Sequence, residues 1–233
     1  MNIALLGYGK MGRSIEKIAT DRNHKITLKI SEPEDEFDFS DCDVAIDFSV
    51  PSAAVRNITK ALDANVPVIS GTTGWLDQYD AIVNYCNERN GTFLYASNFS
   101  LGVNIFFEIN RKLSELIGGL DDYSVAIEEI HHKQKLDAPS GTAISLAEGI
   151  IENTDYKNWT LDKPDANEIH INAKRIEDVP GTHEITYDSN IDSINIKHTA
   201  HNRQGFALGA VIAAEWIKDK KGVFTMKDVL NIG

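Results

Sequence analysis

Positive charge is scarce in this chain: 23 lysines and arginines stand against 35 aspartates and glutamates, a net charge of −12 over 233 residues. A surface of that sign argues against a nucleic-acid partner, which calls for a basic face. Cysteine is nearly absent. Cys42 and Cys86 make no disulfide framework, suit a reducing cytoplasm and read as ordinary thiols rather than a redox pair. No apolar run reaches the roughly eighteen residues of a membrane span, and Met1-Asn2 leads straight into a strand-like segment. Neither a signal peptide nor a membrane partner is expected. Internal repeats and low-complexity tracts are missing too. What remains, 42% hydrophobic and 25% charged residues, suits one large or two small globular domains.

The first hundred residues alternate regularly. Apolar runs at Ile3–Leu6, Ile26–Ile30, Val44–Phe48, Val66–Ile69 and Phe93–Tyr95 are separated by helical patterns at Ser14–Asp21, Ala53–Ala64 and Gln78–Asn87. Short apolar strands alternating with helices predict a parallel sheet covered on both faces. After Asn98 the rhythm changes. Val103–Leu116 reads as a longer helix, Ser124–Ile130 as a strand, Ala143–Glu152 as a helix capped by Ser or Thr, and the polar stretch from Asp155 to Asn167 as a loop. Ile169–Lys174, Glu184–Tyr187 and Ser193–Lys197 suggest antiparallel or mixed strands, and Phe206–Ile217 and Met226–Leu230 closing helices. The expected fold class is α/β: a parallel-sheet domain over residues 1–100, then an α+β domain with a mixed sheet over 101–205. Residues 206–233 are expected to return to the first domain.

Gly7-Tyr-Gly-Lys-Met-Gly12 follows the first strand and opens the first helix. There Gly7 allows a tight turn, Gly9 admits a pyrophosphate against the backbone, and Gly12 lets helix and strand pack closely, as in a Rossmann-type dinucleotide site. Lys10 and Met11 lie within the turn. About twenty residues on, where an acid holds the adenosine ribose, stands Glu32, followed by Glu34, Asp35 and Glu36. An acid there with no adjacent arginine leans toward NADH rather than NADPH. Gly71-Thr72-Thr73-Gly74 and Ala96-Ser97-Asn98-Phe99 follow the fourth and fifth strands, where ligands bind in open α/β sheets.

The scarce positive charge is concentrated in Glu129-Ile-His-His-Lys-Gln-Lys-Leu-Asp-Ala-Pro-Ser-Gly-Thr142. Histidines and lysines in bulk suit a pocket for a small anion, with proton transfer near neutral pH. His131 and His132, adjacent on a strand, point to opposite faces and chelate one metal poorly, so no metal is expected. Lys135, four residues past His131, can share its cleft, with Asp137 as a charge partner and Lys133 as the alternative inward lysine. Ser140, Gly141 and Thr142 at a helix start combine hydroxyls with free N–H groups, a cradle for a carboxylate.

This run closely resembles the signature of the 4-hydroxy-tetrahydrodipicolinate reductase family, long called dihydrodipicolinate reductase. The glycine turn resembles that family's blocks, as do Ile46-Asp-Phe-Ser-Val-Pro51, Gly71–Gly74, Ala96–Asn104, Pro180-Gly-Thr-His-Glu184, Arg203–Ala207 and Phe224–Leu230. The resemblance implies NADH- or NADPH-dependent reduction of a cyclic imine dicarboxylate to tetrahydrodipicolinate, with loss of water, on the diaminopimelate route to lysine. It further implies proton transfer by His131 and Lys135, substrate binding by His132, Gly141 and Thr142, and a homotetramer joined through the second domain's sheet. Near relatives often carry an aspartate where Ser31 stands, which bears on the ribose contact. Two other classes compete: a dehydrogenase for another amino-acid precursor, such as aspartate or homoserine, and a nucleotide-sensing regulator. The contiguous basic run disfavours the first. The second calls for a DNA-binding module and a basic surface.

Overall fold

The computed structural model describes residues 1–32, 36–120, 122–202 and 204–232. The chain divides into two compact units: Met1–Leu101 with Gln204–Gly233, and Gly102–Arg203.

The first unit is built on six parallel strands. Along the chain run β1 (Asn2–Leu6), α1 (Lys10–Asp21), β2 (Lys25–Ile30), β3 (Val44–Asp47), α2 (Pro51–Asp63), β4 (Val68–Ser70), a 3-10 turn at Leu76–Gln78, α3 (Tyr79–Glu88) and β5 (Thr92–Tyr95). The order across the sheet is β2-β1-β3-β4-β5, with one further strand beyond β5. Strands buried on both sides need apolar residues at every position. Ile3 and Leu5 of β1 therefore join Val44, Ile46, Ile15 and Ala19 on one face, while Ala4 and Leu6 join Ala45, Ile58 and Leu62 on the other. Proline at the first position of α2 fits because a helix start leaves that N–H without an internal partner. After β1 the chain moves outward to β2 and then returns to lay β3 on β1's other side. That reversal opens a crevice at the carboxyl ends of β1 and β3.

The second unit starts within α4 (Leu101–Ile117) and continues through β6 (Ser124–His131), α5 (Gly141–Ile151), β7 (Asn158–Thr160), β8 (Glu168–Arg175), β9 (Gly181–Asp188) and β10 (Ser193–Ala200). Its sheet is mixed, in the order β10-β9-β6-β8-β7: β6 pairs antiparallel with β9 and parallel with β8. Phe106 and Ile117 of α4 and Leu146 and Ile150 of α5 cover one sheet face, against Val125, Ile127, Ile169, Ile171, Ile185 and Tyr187. Strand β7 lies inside the stretch expected to be a loop. It has three residues and no buried one, so it carries no alternation to read. The chain ends in the first unit with α6 (Gln204–Ile217), β11 (Gly222–Phe224) and α7 (Met226–Leu230), β11 being the sheet's last strand, beside β5.

Candidate active site

In the first unit the glycine turn occupies the crevice at the β1/β3 reversal. Gly7 has φ +97°, and a Cβ there would lie 2.1 Å from the Phe48 carbonyl oxygen. A Cβ on Gly12 would lie 2.4 Å from the Gly7 oxygen, whereas one on Gly9 would meet nothing within 4 Å. Two glycines thus permit the fold and the third faces open space. No side chain caps the start of α1, so its N–H groups remain available to an anion. A cavity of about 430 Å³ adjoins the turn, lined by Gly7, Gly9, Ser31, Glu32, Ser49 and Val50 among others. Lys10 is exposed, and Met11 is half-buried against the core. These residues fit a dinucleotide's pyrophosphate and ribose. Glu34 and Asp35 lie outside the described residues, and Glu36 pairs with Arg56 at 3.0 Å and Lys60 at 2.8 Å.

The remaining loops of this unit lie outside that cavity. A Cβ on Gly71 would fall 2.4 Å from the Phe48 ring, so the loop packs flat against it. Thr72 is buried, while Thr73 and Ser97 are exposed. Ala96 is half-buried, Asn98 accepts from the Ser100 N–H at 2.9 Å, and Phe99 is buried with its ring 5.5 Å from that of Phe48. What links the Gly71–Gly74 loop to the cavity is Asp47, a residue given no role from sequence. It is fully buried and accepts from Ser49 Oγ (2.6 Å), Asn57 Nδ2 (2.9 Å), Ser70 Oγ (2.8 Å) and Thr72 Oγ1 (2.7 Å). Burial pushes its carboxyl pKa up, against the pull of those four donors.

In the second unit the basic run straddles the end of β6. Side chains alternate along a strand, so Val125, Ile127, Glu129 and His131 share the buried face. Two apolar residues followed by two ionisable ones on a single face is the pattern of a strand that leaves a core and enters a site. Register brings the remaining parts together: Arg175 of β8 stands beside His131, and His183 of β9 beside Glu129. Glu129 Oε1 accepts from the Ser140 N–H and from Arg175, each at 3.1 Å, while its Oε2 lies 3.3 Å from His131 Nδ1. Burial alone would raise the Glu129 pKa, but His131, Ser140 and Arg175 hold it down to about 2. His183, buried and 5.1 Å from the His131 ring, is pushed down to about 4 by burial first and by His131 next.

Of the residues expected from sequence, Lys135 pairs with Asp137 at 2.8 Å, and Arg175 donates to the Asp137 carbonyl at 2.5 Å. Lys133 points to Glu177 at the surface, 3.3 Å away. His132 is half-buried just beyond β6. Ser140 is buried: it caps α5, its Oγ accepting from Ala143 N at 3.2 Å and lying 3.2 Å from His183 Nε2. Gly141, exposed, and Thr142, half-buried, begin that helix. Sequence reasoning missed Arg175, and it gave no role to Gly181 and His183 although both stand in the Pro180–Glu184 block; all three come from strands distant in the chain. Glu129, His131 and His183 present ligand atoms within 4.8 Å of one another, the one such group among the described residues. The Arg175 guanidinium on Glu129 already supplies the positive charge there.

Family models described as dihydrodipicolinate reductase, N-terminus, and dihydrodipicolinate reductase, C-terminus, match residues 25–99 and 102–230. A 4-hydroxy-tetrahydrodipicolinate reductase of Christiangramia forsetii is 60% identical, covering 99% of this chain and 98% of that one. Its counterpart in Methanosarcina barkeri is 37% identical, over 96% of this chain and 82% of its own length. A dipicolinate-bound dihydrodipicolinate reductase from Paenisporosarcina sp. TG-14 shares the fold, with a TM-score of 0.76 at 22% identity, over 97% of both chains.

Proposed function

This chain belongs to the dihydrodipicolinate reductase family, and from that premise we propose how its residues divide the work. The enzyme reduces 4-hydroxy-tetrahydrodipicolinate to tetrahydrodipicolinate, with loss of water, in the diaminopimelate route to lysine, using a nicotinamide dinucleotide. Residues 1–100, with 206–233 returning, serve as the dinucleotide-binding domain, and 101–205 as the domain for substrate binding and oligomerisation.

When bound, the reduced nicotinamide supplies the hydride. Gly7, Gly9, Lys10, Met11 and Gly12 hold the pyrophosphate at the start of α1, and Glu32 accepts from the ribose hydroxyls. Gly71, Thr72, Thr73 and Ala96–Phe99 form the walls toward the nicotinamide. A carboxylate lining the cavity repels a 2′-phosphate, and Arg56 and Lys60 are engaged by Glu36, so NADH is the preferred donor. In the second unit Gly141 and Thr142 receive a substrate carboxylate at the N-terminus of α5, on the turn that Ser140 caps, with His132 as a further donor. His131, at Nε2, and Lys135, at Nζ, carry the proton that quenches the charge developing on the reduced ring.

One observation carries this reading: a single carboxylate, Glu129, touches both His131 and the Ser140 N–H. Proton carrier and carboxylate cradle are thereby anchored to one point. The open sheet face, with Ser124 and Ala126 exposed and Lys197–Glu184 and Lys174–Glu128 ion pairs across it, is the surface through which a homotetramer would join. No helix among the described residues is long and apolar enough to cross a membrane, and we place the enzyme in the cytoplasm.

The test is a coupled assay that makes the labile substrate in place from pyruvate and aspartate semialdehyde, with NADH and NADPH compared by absorbance. Faster turnover with NADH is expected; a clear NADPH preference overturns the role given to Glu32. His131→Ala and Lys135→Ala should each lower kcat by about 10²–10⁴-fold while leaving dinucleotide binding near normal. Near-normal turnover in both variants overturns the assignment of the proton carriers.

A further inference from the structure

The proton-transfer role of His131 leaves open what sets the imidazole's orientation, and the buried cluster behind it answers this. Glu129 Oε2 and His131 Nδ1 are both buried, and neither has a hydrogen-bond partner of standard geometry among the described groups. They lie 3.3 Å apart, each the other's ion-pair neighbour. Buried polar atoms without partners are costly, so two that face each other act as a pair. The other carboxylate oxygen is fixed by two donors from different elements, the Ser140 N–H at the start of α5 and Arg175 at the end of β8. The carboxylate is therefore held from behind and has no freedom to turn away.

We propose that Glu129 is a positioning residue for the reductase reaction: held by Arg175 and Ser140, it keeps the His131 proton on Nδ1 and so presents Nε2 to the substrate. An ionised carboxylate only accepts hydrogen bonds, so the ring nitrogen facing it must be the N–H. Nε2 is then the atom that gives and takes the reacting proton. The surroundings agree. Gly181 of β9 lies on that side of the ring, where a Cβ would come within 3.1 Å of Nε2, and its lack of a side chain leaves the approach open. His183, the other histidine near Glu129, has its Nε2 3.8 Å from Oε2 and 3.2 Å from Ser140 Oγ, so it does not displace His131 from the carboxylate. The inference rests on the role given to His131 above.

Glu129→Gln gives the sharpest test because a carboxamide has one acceptor and one donor end. Ser140 N–H and Arg175 both require the acceptor, so the NH₂ must face His131 and force the opposite tautomer, with the proton on Nε2. The expected result is a kcat lower by about 10²–10⁴-fold, KM for both substrates within about threefold, and a changed tautomer. The tautomer is read from nitrogen-15 spectra of histidine-labelled protein, the His131 signal being assigned by its loss in His131→Asn. Unchanged turnover overturns the proposal, as does lost turnover with the tautomer unchanged. Should Glu129→Gln fail to fold, the wild-type spectrum decides alone: Nδ1–H at His131 is required, and Nε2–H overturns the proposal. His131→Ala in the same assay keeps the two readings apart. If it retains activity, the role of His131 fails; if it is inactive while Glu129→Gln is fully active, only the role of Glu129 fails.

Discussion

Asp47, the last residue of β3, and Glu129, two residues before the end of β6, are both wholly buried, yet their surroundings differ in kind. Asp47 is ringed by three hydroxyls and an amide, all neutral. Glu129 faces a guanidinium, an imidazole and a backbone N–H. Burial pushes the first carboxyl's pKa up, while the charged and donor neighbours hold the second down to about 2. The difference follows from the work of each unit. On the roles proposed above, neutral donors stitch β3 to its neighbouring loop without adding charge beside the phosphates of a dinucleotide. A charged cluster keeps one carboxylate ionised, as the proposed positioning of His131 requires.

Removing Arg175 tests that contrast most severely. Arg175→Ala leaves the Glu129 carboxylate buried with its guanidinium counter-charge gone, a change that typically costs about 3–5 kcal/mol. Urea unfolding should show a loss of that size, largely recovered when Glu129→Gln is added, because the double variant no longer buries an unbalanced charge. A loss under about 1 kcal/mol would mean that the second unit holds its carboxylate as the first does, by neutral donors alone.

Acid sharpens the same comparison. The Glu129 pKa is lowered from 4.5 to about 2, so its contribution is complete above about pH 4.5 and is lost as pH falls through 2. His183 is lowered from 6.5 to about 4; its stabilising share is complete above 6.5 and is lost as pH falls through 4. Each displacement corresponds to roughly 3 kcal/mol. Asp47 is raised, so acid takes nothing from its contribution. Hydrogen exchange at pH 3 should therefore open β6 and β9 before β3 and β4, the reverse of their order being the result that breaks the argument.

The parallel sheet was legible because its strands are apolar on both faces, as in Ile3–Leu6 with every residue buried. Strands β7 and β11 were not, each having three residues, none of them buried. Helix α1 begins at Lys10, four residues before the expected Ser14, because glycine and charged residues there conceal the first turn. His131, Lys135 and Gly141–Thr142 stood out as neighbours in one run. Arg175 did not, and His183 stood out only within the Pro180–Glu184 block, without a role: the register of β8 and β9 on β6 brings them to Glu129, and nothing local in sequence encodes register between distant strands. The signal that was present is the buried face of β6, on which Glu129 and His131 continue the alternation begun by Val125 and Ile127.

Asp47→Asn probes the gentler arrangement and should have the smallest effect. The carboxamide oxygen can still accept from Ser49 and Asn57, while its NH₂ faces Ser70 and Thr72, whose hydroxyls can turn and accept instead. Nearly every polar group keeps a partner, so the loss of stability should be about 1–2 kcal/mol, well below that of Arg175→Ala. The functional trace lies in position rather than chemistry. Ser49 lines the cavity by the glycine turn, its N–H donates to Thr72 Oγ1 at 2.9 Å, and Asp47 holds both side chains. Turning those hydroxyls loosens the walls around the dinucleotide, which should raise its KM roughly fivefold, equivalent to about 1 kcal/mol, with kcat little changed. If kcat falls instead and KM holds, Asp47 acts on the chemistry, and the division between a neutral binding unit and a charged reacting unit is wrong.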